Sequence, residues 1–262
     1  MSVRQPSAGA SGQHFLRSSD LAAAFVADAA VSRGALVVEI GGGTGVLTHA
    51  LASAGAELIV VERDPKLVQQ LETRFRNTSQ VQIVPGDAAT FRWPARDFNV
   101  VANLPFARSG AILGHLLDDP QVPLLRADVI VQWELAAKHT AVWPSTLRSN
   151  YWRAWFDLGI SRRLARTAFA PVPSVDAAVL RFERRPEPRV DPGRHDTYRR
   201  FLAAAFDSGL PLRRALGHAL SPLQLKRLAP RLGFAMDCRP WDLDADQWAR
   251  LYAAATRADR AD

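Results

Sequence analysis

Short apolar runs alternate with amphipathic stretches through the first half of the chain. The apolar runs predict buried strands at residues 36–40, 57–61, 81–84, 98–102 and 128–132. Stretches whose apolar side chains fall on one helical face predict helices at residues 20–32, 46–54, 65–76 and 109–117. Strands that alternate with helices at this spacing are typical of an α/β fold with a mainly parallel sheet.

The pattern changes after residue 132. Residues 133–155 contain four tryptophans and a Pro-Ser break, and they predict a helix followed by a surface loop. Residues 156–166 and 177–183 predict two strands, which we expect to pair as a C-terminal antiparallel hairpin. Residues 169–173 predict a rigid extended stretch, because two prolines restrict its backbone.

The last part of the chain is helical in its pattern. Residues 184–193 are charged and rich in proline, which is typical of a linker. Four helices are predicted beyond it, at residues 196–206, 213–220, 222–232 and 245–257. Asp196 and Asp244 are the expected caps of the first and fourth, and Ser221 and Gly233 bound the third. The sequence therefore predicts an α/β domain at residues 1–184 and a small all-α domain at residues 185–262.

Composition narrows the class of protein. Apolar residues make up 48% of the 262 positions, so the chain is expected to be globular. The single cysteine, Cys238, excludes an internal disulfide and a multi-cysteine metal site, and no metal is expected. The sequence has no run of 18 apolar residues, and residues 1–13 lack an apolar segment. We therefore expect a cytoplasmic protein with no membrane association.

The positive charge is concentrated in the C-terminal part. Residues 1–150 hold 13 basic and 13 acidic residues, whereas residues 151–262 hold 20 basic and 13 acidic ones. Such an asymmetry suggests a surface for a polyanion, although composition alone fits a solvated surface equally well. Arg162, Arg163 and Arg166, at the end of a predicted strand, are the candidate RNA-binding residues.

A glycine-rich turn follows the first predicted strand. Gly41, Gly43 and Gly45 let backbone amides approach a ligand closely, at the start of the next helix. The spacing departs from the dinucleotide pattern G-x-G-x-x-G, and the negative charge expected on Glu39 would repel a diphosphate. Glu62, at the end of the second strand, is placed to accept hydrogen bonds from a ribose. This combination resembles the nucleoside-binding half of S-adenosylmethionine (SAM) methyltransferases.

The tetrapeptide Asn103-Leu104-Pro105-Phe106 follows the fourth predicted strand. The exocyclic amine of a base is a poor nucleophile, because its lone pair is delocalised into the ring. Two acceptors, the Asn103 side-chain oxygen and the Leu104 carbonyl, can bind both amine hydrogens and let the nitrogen pyramidalise. Phe106 offers a flat face for an unstacked base. The alternative is an Asn-Pro turn with a core phenylalanine.

Taken together, the motifs resemble those of the rRNA adenine N6-methyltransferases, which comprise the erythromycin-resistance (Erm) enzymes and the housekeeping 16S rRNA dimethyltransferases. The resemblance rests on six segments in the same order: Gln13-His14-Phe15-Leu16, residues 39–45, Glu62, Gly86-Asp87, residues 103–106 and residues 169–173. It implies a Rossmann-like SAM methyltransferase sheet with a helical domain after it. It also implies transfer of methyl groups from SAM to N6 of an adenosine in rRNA.

The resemblance assigns the cofactor-binding residues. The backbone at His14, Leu16 and Gly41 would hold the methionine part of SAM, with Gly43 and Asn103 beside it. Glu62 would hold the ribose, and Asp87 the adenine amine, although an acidic residue in that position is also an ordinary turn former. His14 stands where the family usually has asparagine, which affects a side-chain role and not a backbone one.

The resemblance also assigns the target site and the substrate. Asn103 would bind the target amine, and Phe106 and Phe169 would sandwich the flipped adenine. Phe106 replaces the commoner tyrosine, and stacking survives that change. The sequence Phe-Ala-Arg-Ser at 106–109 is more similar to actinobacterial Erm proteins than to housekeeping enzymes. This similarity favours a 23S rRNA methyltransferase that confers macrolide resistance. We expect the protein to be a monomer.

Three alternatives remain at this point. A housekeeping 16S rRNA adenine dimethyltransferase shares the same motifs. A non-catalytic relative that binds rRNA or DNA would share the fold, but it would have no reason to keep residues 103–106 intact. A nucleotide-dependent oxidoreductase is disfavoured by Glu39 and by the shortened glycine spacing.

Overall fold

A computed structural model describes residues 14–258, so Gln13 of the first motif lies outside the described residues. A seven-stranded sheet forms the centre. Its strands are β2 Leu36–Ile40, β3 Glu57–Glu62, β4 Val81–Pro85, β5 Phe98–Asn103, β6 Leu124–Gln132, β7 Phe156–Leu164 and β9 Ala177–Arg184. They lie in the order β4-β3-β2-β5-β6-β9-β7. Two further short strands, β1 and β8, form a separate pair at Phe15–Leu16 and Phe169–Ala170.

Strands β2 to β6 are parallel, and β9 runs antiparallel to β6 with Asp128 opposite Arg181. The expected mainly parallel sheet with a hairpin of the last two strands is confirmed, since β7 and β9 are neighbours. Strand β2 is buried at every position, as an apolar run in the middle of a sheet requires. Strand β6 begins four residues earlier than predicted, at Leu124.

The connections between the strands are helical. The start of helix α3, Pro65–Phe75, follows from its sequence. Pro65 occupies its first turn, and the Asp64 side chain accepts the Lys66 amide at 2.8 Å. Val68, Leu71 and Phe75 form its buried face. The helices of this part are α1 Ser19–Asp28, α2 Val46–Ser53, α3 Pro65–Phe75, α4 Ser109–Leu117 and α5 Trp133–Thr140.

Two arginines fix the end of helix α1. Arg126 and Arg181 each donate to the Asp28 carbonyl oxygen, at 2.8 and 2.9 Å, and both form ion pairs with the buried carboxylate of Asp128. Cations at a helix C-terminus offset its negative end, and Asp128 offsets their charge in turn. Arg162 adds an ion pair with the Asp28 side chain.

The chain divides into two compact units. The first contains residues up to Leu117 together with Val122–Ala136 and Gly159–Glu183, and the second contains Asp118–Gln121, Ala137–Leu158 and the residues from Arg184 onward. The predicted domain boundary at residue 184 stays a prediction. Helices of the second unit are α6 Leu147–Trp152, α7 His195–Ser208, α8 Leu212–Ala215, α9 Pro222–Leu232 and α10 Ala245–Ala258.

Besides the length of helix α8, two predictions for the second unit were wrong. The expected surface loop after α5 contains helix α6, and Trp152 and Trp155 are buried. Their indole N–H groups donate to Asp118 Oδ1 and to the Val190 carbonyl, each at 2.8 Å, which removes the cost of burying them. Asp196 lies inside the first turn of α7 and is not its cap.

Helices α8 and α9 illustrate how local residues set helix length. Helix α8 ends at Ala215, well before the predicted residue 220, with Gly217 soon after it. Helix α9 matches its prediction, because Ser221 and Gln224 form a capping box and Gly233 ends it in a left-handed conformation. Among residues 14–258, the structure has no helix of the length and hydropathy that crossing a bilayer demands.

Candidate active site

The carboxyl ends of β2, β3 and β5 meet at the glycine turn. The Gly41 amide donates to the Val61 carbonyl at 2.8 Å, and a Cβ on Gly41 would lie 3.8 Å from the Asn103 carbonyl oxygen. Gly43 has φ +54°, and a Cβ there would meet the Phe15 ring at 2.8 Å. The turn therefore requires glycine at residue 43 for two reasons, its backbone conformation and its contact with the N-terminal segment.

Glu62 is buried at the end of β3 and holds the turn together. Its Oε2 accepts the Gly43 amide at 3.0 Å, and its Oε1 accepts the amides of Arg63 and Asp64 at 2.8 and 2.9 Å. An ionised carboxylate has about four acceptor sites, so one remains on Oε2 for a further donor. Glu62 thus keeps the acceptor capacity expected of a ribose-binding residue, and the sequence missed its second role in fixing the turn.

Glu39 is buried beneath the same turn, with 1% of its surface exposed. Neither carboxylate oxygen makes a hydrogen bond of good geometry among the described residues, although Thr48 lies beside the carboxyl. Burial raises the pKa of Glu39 to about 8, and the neighbouring Glu62 carboxylate adds to the shift while Thr48 opposes it. Glu39 is therefore mostly protonated at neutral pH, and the prediction of a negative charge at this position was wrong.

Asp87 follows β4 and lines a cleft beside the turn. This cleft contains about 480 Å³ of empty space, part of it open to solvent, and Glu62 and Gly41 also line it. Asp87 Oδ1 accepts the Ala89 amide at 2.9 Å, and its Oδ2 pairs with Arg108 at 2.6 Å. These contacts, the Ala89 amide first, hold the pKa of Asp87 below its usual range, so the carboxylate is an acceptor at neutral pH.

Asn103 lies at the tip of β5, with its amide group fixed. Its Nδ2 donates to the His14 carbonyl at 2.7 Å, and its Oδ1 is buried without a partner among the described residues. Asn103 lines the cavities around the turn together with Gly41. Leu104 is held in place by its amide, which donates to the Ile130 carbonyl at 3.1 Å. A buried acceptor without a donor is costly, so Asn103 Oδ1 is suited to a ligand N–H.

Three aromatic rings meet beside Asn103. Phe106 and Phe169 are 6.1 Å apart between centroids and inclined at 70°, and His14 lies 5.3 Å from Phe106. Both phenylalanines are buried. The structure therefore brings the predicted pair together, but edge to face. A parallel pair that encloses a base requires the Phe106 ring to reorient.

The first motif and the Phe169 segment are joined directly. Phe15 pairs with Ala170 and Leu16 with Phe169 in an antiparallel bridge. The His14 ring nitrogen Nδ1 is 2.8 Å from the Pro171 carbonyl oxygen, which gives the histidine side chain a structural partner. Residues that are more than 150 positions apart in the sequence thus form one strip beside the glycine turn.

The three candidate RNA-binding arginines lie on β7 and on the turn after it. Arg162 pairs with Asp28, and Arg163 pairs with Asp176 at 3.0 Å. Arg166 is exposed and has no ion pair with a carboxylate among residues 14–258. Two of the three guanidinium groups are therefore already neutralised. No cluster of three or more metal-ligating side chains occurs within the described residues.

Comparison with known proteins identifies the family. The model of the family described as ribosomal RNA adenine dimethylase matches residues 9–255. An rRNA adenine N-6-methyltransferase of Bacillus licheniformis is 28% identical over 94% of this chain and 86% of its own. The mycinamicin-resistance protein MyrB of Micromonospora griseorubida is 30% identical over 82% of this chain and 68% of its own.

Relatives from the other branch are similar to a comparable degree. A ribosomal RNA small subunit methyltransferase A of Streptococcus agalactiae is 32% identical over 74% of this chain and 71% of its own. Among solved structures, the 23S rRNA methyltransferase ErmE has the same fold, with a TM-score of 0.81 and 24% identity over 92% of this chain and 99% of its own. The chain therefore belongs to the ribosomal RNA adenine dimethylase family and is a SAM-dependent rRNA methyltransferase.

Proposed function

We propose that the protein methylates N6 of an adenosine in 23S rRNA, with Asn103 and Leu104 as the groups that bind the target amine. The observation that carries this proposal is the state of Asn103. Its Oδ1 is buried and unpartnered within the described residues, and the bond from Nδ2 to the His14 carbonyl fixes that oxygen as the free end of the amide. An exocyclic amine supplies the missing donor.

The residues at the turn fit the cofactor. Glu62 retains an acceptor site for a ribose hydroxyl, and the ionised Asp87 can accept an adenine amine. The positive φ of Gly41 and Gly43 leaves the backbone open where the methionine part would lie, next to His14 and Leu16. Bound SAM supplies an electrophilic methyl group on a sulfonium.

The chain's own contribution to the reaction is orientation. Asn103 Oδ1 and the Leu104 carbonyl each accept one N–H of the amine, which directs the nitrogen lone pair toward the methyl group. Bound SAM would supply the methyl group that bonds to N6 and would leave as S-adenosylhomocysteine, and one N6 proton would pass to water. Phe106 and Phe169 would hold the ring of the base once Phe106 has reoriented.

Antibiotic resistance is the biological role that we infer from a 23S target. The similarity to MyrB, a mycinamicin-resistance protein, and to ErmE, a 23S rRNA methyltransferase, supports this role. A methyl group on a base in the drug site would block macrolides sterically. The protein would act as a monomer in the cytoplasm, where ribosomes are found. The second candidate, a 16S rRNA dimethyltransferase, is favoured by the similarity to small subunit methyltransferases.

Methylation of stripped rRNA tests the proposal. Purified 23S and 16S rRNA are incubated separately with the protein and labelled SAM, and the modified base is mapped by primer extension. Label on one adenosine of 23S rRNA is the expected result. Label on 16S rRNA alone would establish the second candidate, and binding of RNA without any label would favour the non-catalytic relative.

A further inference from the structure

Arg108 connects the two halves of the candidate site. It lines the cofactor cleft with Asp87, and its Nη1 lies 2.6 Å from Asp87 Oδ2. The two side chains are about one-third exposed, at 33% and 30%, so solvent screens the pair only in part. Nothing in the sequence links Arg108 to a carboxylate 21 positions earlier.

Arg108 is also linked through the backbone to Phe106, on the target-base side of the site. Arg108 ends a 3-10 turn that begins at Phe106, and its amide donates to the Pro105 carbonyl at 2.9 Å. The buried Ser109 hydroxyl donates to the same carbonyl at 3.1 Å. A single hydrogen-bonded turn therefore holds Phe106 at one end and is tied to Asp87 at the other.

In this structure the turn at residues 106–108 leaves no room for a base beside Phe106. Phe106 is packed edge to face on Phe169, an arrangement that leaves no parallel slot for a base. Because Phe106 and Arg108 belong to one turn, a shift of the turn would move the Phe106 ring with it. The ion pair with Asp87 would oppose such a shift.

We propose that Arg108 is a positioning residue that couples the cofactor site to the target-base site through its ion pair with Asp87. The proposal rests on the proposed function, which places the cofactor's adenine amine at Asp87. When that amine donates to the carboxylate, it competes with Arg108 and loosens the turn. Phe106 is then free to stack on the base, so a bound cofactor raises RNA affinity, and RNA raises cofactor affinity by the same factor.

Equilibrium binding measures this coupling without turnover. S-adenosylhomocysteine, which has the same adenine and no methyl group to transfer, is titrated calorimetrically with and without a 23S rRNA fragment that contains the mapped adenosine. RNA affinity is measured with and without S-adenosylhomocysteine. We expect each ligand to tighten the other by about five-fold in the wild-type protein.

Three variants distinguish a loss of coupling from a general loss of protein structure. Arg108→Met, which keeps the length of the side chain and removes its charge, should bind RNA without cofactor as tightly as the loaded wild type, and the coupling factor should fall to about one. Arg108→Lys should keep part of the coupling, since the charge remains. Arg92→Met, which removes an exposed arginine outside this cleft, should keep all of it.

The opposite results would overturn the proposal. Coupling that persists in Arg108→Met would rule out the ion pair as the link. A loss of RNA affinity in Arg108→Met without cofactor would show that Arg108 only supports the fold or contacts RNA. Absence of coupling in the wild type would also reject it. Failure of S-adenosylhomocysteine to bind at all would instead contradict the proposed function.

Discussion

Asn103 is locked to His14: the side-chain amide nitrogen donates to the backbone carbonyl at 2.7 Å, across 89 positions of sequence. This bond determines which atom of the carboxamide is left to receive a substrate. An asparagine free to rotate would present its N–H groups half of the time, and these repel an amine donor. Under the proposed function, the N-terminal segment would contribute to catalysis through the His14 backbone carbonyl.

Asn103→Ala should nearly abolish methyl transfer, while the cofactor still binds. Removing one preorganised acceptor costs on the order of 10²- to 10³-fold in rate. Transfer of labelled methyl to rRNA measures the loss, and calorimetry with S-adenosylhomocysteine measures binding. Asn99→Ala, on the same strand β5, is the matched control and should keep its activity. Turnover retained by Asn103→Ala would reject the proposed role.

Gly43→Ala should destabilise the protein and weaken cofactor binding. The added Cβ meets the Phe15 ring at 2.8 Å, and the left-handed backbone of residue 43 costs a non-glycine residue about 1–3 kcal/mol. Urea unfolding measures the change in stability. Gly86→Ala, in the neighbouring cleft beside Asp87, has no atom within 4 Å of its new Cβ and should leave stability unchanged. Equal effects of the two substitutions would contradict the close contact.

Glu39→Gln should change how stability depends on pH. The pKa of Glu39 is raised from 4.5 to about 8, so the unfolded chain loses its proton first and wild-type stability falls as pH rises from about 4.5 to 8. The difference is at most about 5 kcal/mol. Glutamine does not titrate, so the advantage of the variant should grow over that range and level off above it.

Unfolding curves at pH 5, 6, 7, 8 and 9 measure this difference. Glu57→Gln, at an exposed position of β3, is the control and should run parallel to the wild type. Parallel curves for Glu39→Gln as well would show that the Glu39 carboxyl has an ordinary pKa.

Charge reversal at Arg166 should weaken RNA binding more cleanly than reversal at Arg162. Arg166 is exposed and unpaired with a carboxylate within residues 14–258, whereas Arg162→Glu would set two carboxylates against each other at Asp28 and lower stability. Each lost phosphate contact should reduce the slope of log Kd against log salt by about 0.7–0.9. Fluorescence anisotropy from 50 to 300 mM salt measures it. A slope unchanged in Arg166→Glu would remove that residue from the interface.

The positions of the strands and of the helices between them were predictable because residues close together in the sequence determine them. The run at 36–40 is apolar at each buried position except Glu39, and the helix that starts at Pro65 has its cap in the preceding residue. The glycine turn, Glu62, Asp87 and Asn103 were also predictable as neighbours, since parallel strands bring their carboxyl ends to one edge.

The features that escaped prediction depend on partners distant in sequence. Burial of Trp152 depends on an acceptor at Asp118, 34 positions earlier, and nothing near the tryptophan announces it. The protonation of Glu39 follows from complete enclosure by other elements, and the ion pair of Arg108 follows from the way two loops approach each other. Sequence patterns give the identity of such groups but not their surroundings.

The bridge between Phe15–Leu16 and Phe169–Ala170 has an evolutionary consequence. Phe15–Leu16 belongs to the segment expected to bind the cofactor, and Phe169 is expected to form one wall of the pocket for the target base. The two segments are paired, so a shift of one would shift the other. We therefore expect substitutions that change the accepted nucleoside to occur on the other wall, at the turn that holds Phe106. Libraries that aim to retarget the enzyme should leave this bridge untouched and diversify residues 106–109.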